Sequence, residues 1–215
     1  MSKETLKDKV YQGIYDDITN GLYQPNEILT ESRLIEQFSV SKSPVREALI
    51  ELCKDGILKN IPRMGYQVTP VSLKEIIDVL ELRVDIELAG MRKAYPQITD
   101  ENIEVMETMV KSHIINKDNI VSNNWARNNS FHIYLYSLNG NGYGYQLLDQ
   151  LIKQSSRYIS QYFHAAWQKD REMRGENHLA VVRALKEKDI DKACSMLETD
   201  IMVVKREILE LHAMG

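Results

Sequence analysis

Short hydroxyls and long cations are concentrated in residues 39–49, SVSKSPVREAL, next to apolar, helix-forming sequence. One serine is enough to cap a helix start, so the surplus indicates a contact with something outside the protein. Ser41, Ser43 and free backbone N–H groups can bond phosphate oxygens, assisted by the positive end of the helix. Lys42 and Arg46 can reach a phosphate or a guanine edge. These residue types at a helix start therefore predict contact with nucleic acid.

Three helices and a hairpin are predicted to position this segment. Apolar residues that recur every fourth position indicate a first helix over about 4–20, and a short second helix is predicted from Thr30 or Glu31 to Phe38. The third helix is predicted to start with Ser43 as N-cap and Pro44 at the first helical position. Two β-like runs across a Pro/Gly turn then predict a hairpin over 57–61 and 66–70. Three helices followed by a two-stranded wing make a winged helix-turn-helix, whose third helix enters the DNA major groove.

Three residues outside the third helix are further candidates for DNA contact. Arg33 lies on the preceding helix, and Arg63 and Gly65 lie at the predicted wing tip, where glycine permits close backbone approach. An acidic stripe on the third helix would repel DNA, so only about its first turn is expected to dock; the stripe is Glu47, Glu51 and Asp55. The alternative is a small structural domain whose cations are merely solvated.

Composition limits the class of protein. The chain has 215 residues, 43% hydrophobic, with a net charge of −4, which predicts a sizeable core and argues against nucleic-acid binding through bulk charge. Cys53 and Cys194 lie far apart in helix-like sequence and are predicted to be small buried hydrophobes in a reducing compartment. No run approaches the roughly 18 apolar residues of a membrane span, so a soluble, cytoplasmic protein is expected.

The sequence after residue 71 is predicted to be entirely helical. Amphipathic segments predict six helices, near 73–94, 99–116, 121–138, 142–166, 169–187 and 189–212. The predicted fold class is therefore mostly α, with a winged helix-turn-helix domain over 1–71 and an all-α six-helix bundle over 72–215.

Two charged residues fall on the apolar face of the predicted helix 73–94. At about 100° per residue, Arg83 and Glu87 share a stripe with Ile76 and Leu80. Buried charges are costly unless they are paired. Either Arg83 and Glu87 pair with each other, or Arg83 awaits an anion.

Polar residues also interrupt other apolar helix faces. Asn128 and His132 are four residues apart, His178 opens the apolar run HLAVVRAL, and Asp200 follows ACSMLET. Such residue types can ligate a metal ion, but histidines on apolar faces are also common as satisfied core residues. Sequence spacing alone does not show that these helices meet. Both interpretations, metal ligands and satisfied core histidines, therefore stay open at this point.

Residues 29–68, LTESRLIEQFSVSKSPVREALIELCKDGILKNIPRMGYQV, resemble the DNA-binding domain of GntR-type bacterial transcription regulators. The resemblance implies binding of double-stranded operator DNA as a homodimer. It carries contact roles to the matching positions Arg33, Ser41, Lys42, Ser43, Arg46 and Gly65. Lys42 departs from the arginine more usual there, and lysine presents a point charge in place of a planar fork.

The helical part resembles the ligand-binding domain of the FadR subfamily of these regulators, in its shorter VanR-like form. The segments that carry the resemblance are ELRVDIELAG, NNSFHIYLYSLNGN and NHLAVVRALKEKDIDKACSMLETD. It implies a divalent metal held by one Asp and three His beneath a pocket for a small organic acid. The matching positions here are Asn128, His132, His178 and Asp200. Asn128 offers a neutral oxygen and Asp200 restores one negative charge, a set that can still hold zinc, nickel or manganese.

The expected function is a ligand-responsive DNA-binding regulator, a repressor, and not an enzyme. A small organic acid is expected to bind in the bundle and change operator affinity, contacting Arg83, His132, His178 and Tyr134. The remaining bundle aromatics either line that pocket or pack in the core or a dimer seam; they are Tyr158, Tyr162 and Trp167. Two alternatives are a metal-only sensor without an organic effector and a metalloenzyme with an appended helical unit, although no nucleophile–base pair accompanies the histidines.

Overall fold

The structure, a computed structural model, describes residues 5–115, 121–163 and 172–213. Its described residues fall into two compact units, one within Met1–Ser72 and Ser156–His164 and the other within Leu73–Ser155 and Ala165–Gly215. The predicted fold class is confirmed, because helices dominate and the strands form one small antiparallel sheet. The functional assignment of residues 1–71 and 72–215 stays a prediction.

Residues 5–72 of the first unit form three helices and a three-stranded sheet. Its helices are α1 (Leu6–Thr19), α2 (Glu31–Phe38) and α3 (Lys42–Lys54), and its strands are β1 (Ile28–Leu29), β2 (Leu58–Ile61) and β3 (Gly65–Val68). The predicted β2–β3 hairpin is confirmed, with Leu58 opposite Val68 and Ile61 opposite Gly65. Strand β1 was not predicted, because two residues are too few to show an alternating pattern; it pairs with β3, so the order is β1-β3-β2.

Gly65 has a structural role in this sheet. Its φ is +131°, and a Cβ atom there would collide with the carbonyl oxygen of Leu29 in β1. Only glycine meets both requirements without strain. The third strand therefore accounts for this glycine independently of any approach to DNA.

The start of α3 differs from the prediction. Ser39 (φ 52°) ends α2 in the left-handed conformation, and α3 begins at Lys42 with Ser41 as N-cap. The prediction of Ser43 as N-cap was therefore wrong: Ser43 is the second helical residue, and its hydroxyl donates to Glu47 Oε1 at 2.8 Å. Pro44 is the third helical residue instead of the first, a position it can occupy because N–H groups of the first turn lack intrahelical acceptors.

The core of the first unit is built from the apolar faces of all three helices. The fully buried side chains, none more than 1% exposed, include Val10, Ile14, Ile18, Leu34, Val45, Leu49, Leu52 and Val68. Because α3 buries Val45 and Leu49 here, its orientation is fixed by packing. Lys42 and Ser43 at its start, in contrast, are exposed.

The second unit is helical throughout the part that the structure describes. It draws on α4 (Leu73–Ala94), a 3-10 turn (Tyr95–Gln97), α5 (Asp100–Ile115), α6 (Val121–Ser137), α7 (Gly142–Phe163), α8 (Glu172–Lys186) and α9 (Ile190–Ala213). The six predicted helices are confirmed, and predicted ends that fall on described residues differ from the observed ends by at most one residue. The predicted ends at 116, 166 and 169 lie outside the described residues. Cys194 is buried as predicted, whereas Cys53 is only partly buried.

A helix that crosses a bilayer needs about 20 predominantly apolar residues. None of the helices within residues 5–115, 121–163 and 172–213 combines the length and the apolar character that this requires.

Close packing of α4 on α6 depends on a glycine. A Cβ atom on Gly90 would collide with the ring of Tyr136, which is 6% exposed. The same pair of helices carries Glu87 and His132, one turn earlier on each. Gly90 thus permits the approach that brings those two side chains together.

We expect Gly90→Ala to lower the free energy of unfolding by about 1–3 kcal/mol, because the added methyl overpacks a buried ring that has little room to move. Gly142→Ala is the matched control: Gly142 is the first residue of α7, and a Cβ atom there meets nothing within 4 Å. Thermal unfolding followed by circular dichroism measures both. Equal stability of the two variants would show that the α4–α6 spacing does not depend on Gly90.

Candidate metal centre and nucleic-acid interface

Four helices of the second unit each contribute one buried polar side chain to a cluster. Glu87 comes from α4, His132 from α6, His178 from α8 and Asp200 from α9, and their exposed fractions are 3%, 1%, 1% and 6%. We call these four residues the polar cluster. Buried groups of this kind are stable only when they are paired or bound to a metal.

Three atoms of the polar cluster have the spacing of metal ligands. His132 Nε2, His178 Nε2 and Asp200 Oδ2 lie pairwise 3.2 Å apart. Ligand atoms about 2.0–2.1 Å from a tetrahedral zinc ion are about 3.3 Å from one another. The three atoms therefore fit one divalent cation with little rearrangement, and these residues form the possible metal site of the described structure.

The predicted ligand set is thus partly assembled by the fold. His132, His178 and Asp200 converge, as stated above. Asn128 lies one helical turn before His132 on α6 and is 7% exposed, so its role as a fourth ligand stays a prediction. The ring of Phe131 stacks on that of His178, with centroids 4.2 Å apart and planes at 20°. This stacking restricts the rotation of the His178 imidazole.

A second layer of contacts orients His132. Its Nδ1 lies 2.6 Å from Glu87 Oε2, and Glu87 Oε1 accepts from Arg83 Nε at 2.9 Å and contacts Arg83 Nη2 at 2.8 Å. Arg83 Nη1 in turn donates to Ser155 Oγ at 3.4 Å. A carboxylate on Nδ1 keeps the proton there and leaves Nε2 as the ligand atom. Of the two alternatives for Arg83, pairing with Glu87 is the one observed.

The electrostatics of the cluster follow from these contacts. Burial alone would lower the pKa of His132, but the charge of Glu87 and hydrogen bonds to Asp200 and Glu87 outweigh burial and raise that pKa to about 9. Burial would raise the pKa of Asp200, yet the two histidines hold it well below its usual range. The pKa of Glu87 is likewise lowered against burial by His132 and Arg83. Without a metal, His132 therefore holds a proton between two carboxylates; a cation on Nε2 takes the place of that proton.

Glu87 is the site residue whose role in the cluster was not predicted. Its position on an apolar face was visible in the sequence, and its pairing with Arg83 at four residues was one of two alternatives. Its bond to His132 spans 45 residues, and no local pattern predicts it. The sequence signal for such a residue is a carboxylate that falls on the apolar stripe of a predicted helix.

We expect Glu87→Gln to lower the free energy of unfolding by about 3 kcal/mol, because it leaves the buried Arg83 guanidinium without a counter-charge. The matched control on the same helix is Glu81→Gln. Glu81 pairs with Lys205 at 2.5 Å but is 54% exposed, so its loss should cost less than about 1 kcal/mol. Urea unfolding measures both, and similar losses for the two variants would refute the buried-pair argument.

The predicted aromatic contacts have mixed positions. Tyr134 is two residues from His132, so the two side chains leave α6 in different directions, and Asn102 Nδ2 of α5 donates to its hydroxyl at 3.2 Å. Its effector role stays a prediction. Tyr158 is 1% exposed, whereas the side chain of Tyr162 and the whole of Trp167 lie outside the described residues.

The first unit presents the predicted DNA-contacting residues at the exposed start of α3. Ser41, Lys42, Ser43 and Arg46 are all exposed. The Lys42 and Arg46 side chains are 58% and 55% exposed, and both contact Glu31 of α2: Arg46 Nε donates to Oε1 at 2.7 Å, and Lys42 Nζ lies 3.4 Å from Oε2.

The flanking candidates lie on other elements of the first unit. Arg33 of α2 pairs with Glu27 at 2.8 Å, and its guanidinium carbon lies 4.8 Å from the centroid of the Tyr23 ring. Arg63 is exposed in the β2–β3 turn with a φ of 65°. Contact of either residue with DNA stays a prediction.

The acidic stripe of α3 is engaged within the unit. Glu51 Oε2 lies 2.7 Å from Lys7 Nζ, and Asp55 accepts from the Tyr11 hydroxyl at 2.6 Å, so both carboxylates are directed at α1. Glu47 accepts from Ser43, as described for the start of α3. Lys7 offsets the charge of Glu51, and Asp55 faces α1, so these two carboxylates should repel a phosphate backbone less than the sequence alone predicts.

An exposed helix-turn-helix with a wing, joined in one chain to a helical bundle with a buried polar cluster, is the architecture of a ligand-responsive DNA-binding regulator. The family model "Bacterial regulatory proteins, gntR family" matches residues 6–68, and that of the FCD domain matches residues 78–201, more than half of the chain. The chain therefore belongs to the GntR family and carries an FCD domain. The predicted resemblance and the predicted class, a DNA-binding transcription regulator, are confirmed.

Individual relatives agree with this placement. The chain is 30% identical over 101 residues to the uncharacterized HTH-type transcriptional regulator YdhC of Bacillus subtilis, a match covering 47% of this chain and 45% of that protein. It thus spans less than half of that relative. It is 26% identical over 155 residues to the HTH-type transcriptional repressor GlaR of Escherichia coli, covering 69% and 70% of the two chains. The solved structure of E. coli McbR/YncC shares the fold, with a TM-score of 0.75 at 19% identity over 97% of this chain and 99% of that one.

Proposed function

We propose that this protein binds operator DNA as a homodimer through the start of α3 and the β2–β3 wing, and that a small organic acid bound at the polar cluster changes its operator affinity. The observation that carries the proposal is the convergence of His132, His178 and Asp200, whose three ligand atoms lie pairwise 3.2 Å apart, in a chain that also exposes a cationic helix start. Repression is the favoured direction of regulation, since the relative GlaR is named as a repressor. Both relatives reported above are named as regulators, which favours a non-enzymatic role.

The DNA-binding part of the proposal rests on residue chemistry at the start of α3. Backbone N–H groups of the first turn and the hydroxyls of Ser41 and Ser43 can donate hydrogen bonds to phosphate oxygens, while Lys42 and Arg46 supply charge. Arg33, Arg63 and Gly65 would add flanking and wing contacts. The net charge of −4 means that this local patch, and not the whole protein, must attract the duplex.

We expect the double variant Lys42→Ala/Arg46→Ala to weaken binding to a duplex that the parent protein has enriched from a random pool. The loss should be about tenfold or more at moderate salt, and the slope of log K against log salt should fall by about one for each phosphate contact removed. Fluorescence anisotropy at several salt concentrations measures both quantities. Lys54→Ala, an exposed cation at the other end of α3, is the control that should change little. Unaltered binding by the double variant would exclude this surface.

The metal part of the proposal assigns His132, His178 and Asp200 as ligands, with Asn128 as a fourth. Two imidazoles, one carboxylate and one amide suit zinc, nickel or manganese. Glu87 would hold His132 in the ligating tautomer, and Arg83 would balance Glu87. When bound, the metal supplies a positive Lewis-acid centre to which a carboxylate can attach.

Charge accounting supports an anionic effector. With His132 neutral as a metal ligand, Arg83, Glu87 and Asp200 sum to one negative charge, and a divalent cation brings that sum to one positive charge. An uncompensated buried charge is costly. An organic acid would supply the compensating anion, so its binding should depend on the metal.

We expect metal-stripped protein to bind one equivalent of Zn²⁺, Ni²⁺ or Mn²⁺ per chain. At a metal concentration of about 100 times Kd, the folded state should gain about 2.7 kcal/mol. Asp200→Asn and His178→Gln should each lower the affinity by more than about tenfold, while His212→Gln, an exposed histidine on the same helix as Asp200, should not. Calorimetry with elemental analysis decides; the metal assignment fails if parent and Asp200→Asn bind alike.

The same calorimetry separates the effector proposal from a metal-only sensor. Mono-, di- and tricarboxylates are titrated into stripped and metal-loaded protein, and release of the enriched duplex is followed in parallel. An acid that binds only the loaded protein and shifts DNA affinity supports the proposal, which requires a coupling of about 1–3 kcal/mol. DNA release by metal alone, unchanged by every acid, would favour the metal-only sensor.

A further inference from the structure

Glu31 connects the two cations at the start of α3. It is the first residue of α2, its side chain is 23% exposed, and it contacts the more exposed Lys42 and Arg46 with one oxygen each. The hydrogen bond from Arg46, the contact with Lys42 and their charges lower the pKa of Glu31 despite partial burial. Glu31 is therefore ionised at neutral pH and shares its charge between both cations.

The contact with Arg46 has a defined geometry. The nitrogen that donates to Glu31 Oε1, at 2.7 Å, is Nε, so this hydrogen bond does not occupy the two terminal nitrogens of the guanidinium. Those two nitrogens are the pair that reads O6 and N7 of guanine. A carboxylate on Nε thus restricts the rotation of the side chain and leaves its base-reading end available.

Glu31 also opposes binding that is independent of sequence. Attraction to phosphate depends on the number of cations that a protein offers, and a carboxylate beside Lys42 and Arg46 offsets part of their charge. A duplex that presents only phosphates must compete with Glu31. A duplex that presents a guanine edge gains a bidentate contact from Arg46 as well. Selectivity arises when an interface disfavours wrong partners as well as favouring the right one.

We propose that Glu31 is a specificity-determining residue of the DNA-binding surface: it positions Arg46 for base reading and weakens binding to duplexes that lack the matching base. The inference rests on the proposed function, since it requires α3 to enter the groove. Glu31 acts through Arg46 and Lys42 and need not touch DNA itself. Arg33 is outside this arrangement, because its partner is Glu27.

The test compares Glu31→Gln with the parent on two duplexes, one enriched from a random pool by the parent and one of the same composition in shuffled order. Glu31→Gln should bind the shuffled duplex about tenfold more tightly with a steeper salt slope, and the ratio of the two affinities should fall about tenfold. Glu36→Gln is the matched control, since Glu36 is exposed on the same helix and its substitution changes the net charge equally. The inference is overturned if Glu31→Gln raises both affinities by one factor, or if Glu36→Gln lowers the ratio as much.

Two further variants protect the test. In an Arg46→Gln background, Glu31→Gln should leave the affinity ratio unchanged, because the residue that Glu31 positions is gone; a persisting effect would overturn the positioning role.

Should Glu31→Gln fail to fold, Glu31→Asp keeps the charge in the first turn of α2 with a shorter reach. It should leave the shuffled duplex weakly bound and lower affinity for the enriched duplex about threefold; parent-like binding of both would contradict the inference. A parent protein that enriches no duplex at all overturns the DNA-binding proposal itself, and this inference with it.

Discussion

The buried carboxylate of Glu87 is the contact on which the second unit depends. It lies between the Arg83 guanidinium and the His132 imidazole, 2.6 Å from Nδ1 of the latter. Both neighbours are buried, so removal of either would leave an uncompensated charge in an apolar interior. The pairing also decides which nitrogen of His132 faces His178 and Asp200. Stability of the bundle and the chemistry of its polar cluster therefore depend on the same few contacts.

The helices around Glu87 are arranged to make this contact possible. Gly90 lets α4 approach the Tyr136 ring of α6, which brings Glu87 within reach of His132 one turn earlier. Phe131 fixes the ring of His178 by stacking. Apolar packing thus sets the positions of the polar groups, and the polar groups in turn require that packing to keep water away.

Much of this could be predicted from the sequence, and the limits have physical causes. Helices with strong periodicity, such as α4, were predicted to their ends because burial of one face leaves a regular pattern. The α3 start was misplaced because Ser41 and Ser43 are equally good caps by residue type, and the choice was made by tertiary packing of Val45 and Leu49. Strand β1 left no signal, since its pairing with β3 depends on residues 37 and 39 positions away.

The candidate site shows the same division. His132, His178 and Asp200 could be proposed only because a resemblance aligned them; their convergence depends on helices far apart in the chain. Arg83 and Glu87 could be paired from spacing alone, since residues four apart share a helix face. Which of the two alternatives for Arg83 holds required the structure.

The two units use one device at different depths. In each, a carboxylate on a neighbouring helix fixes the orientation of a cationic or imidazole side chain: Glu87 does so for His132, and Glu31 for Arg46. Depth decides the consequence. The Glu87 side chain is 2% exposed. Because its partners have no access to water, loss of this contact would destabilise the fold. The Glu31 side chain is 23% exposed, and its cationic partners also contact solvent. An exposed pair of this kind adds little to stability, so a DNA duplex can displace it or leave it intact, depending on the groups that the duplex presents. Burial thus distinguishes the contact of Glu87, which stabilises the fold, from that of Glu31, which affects selectivity for DNA.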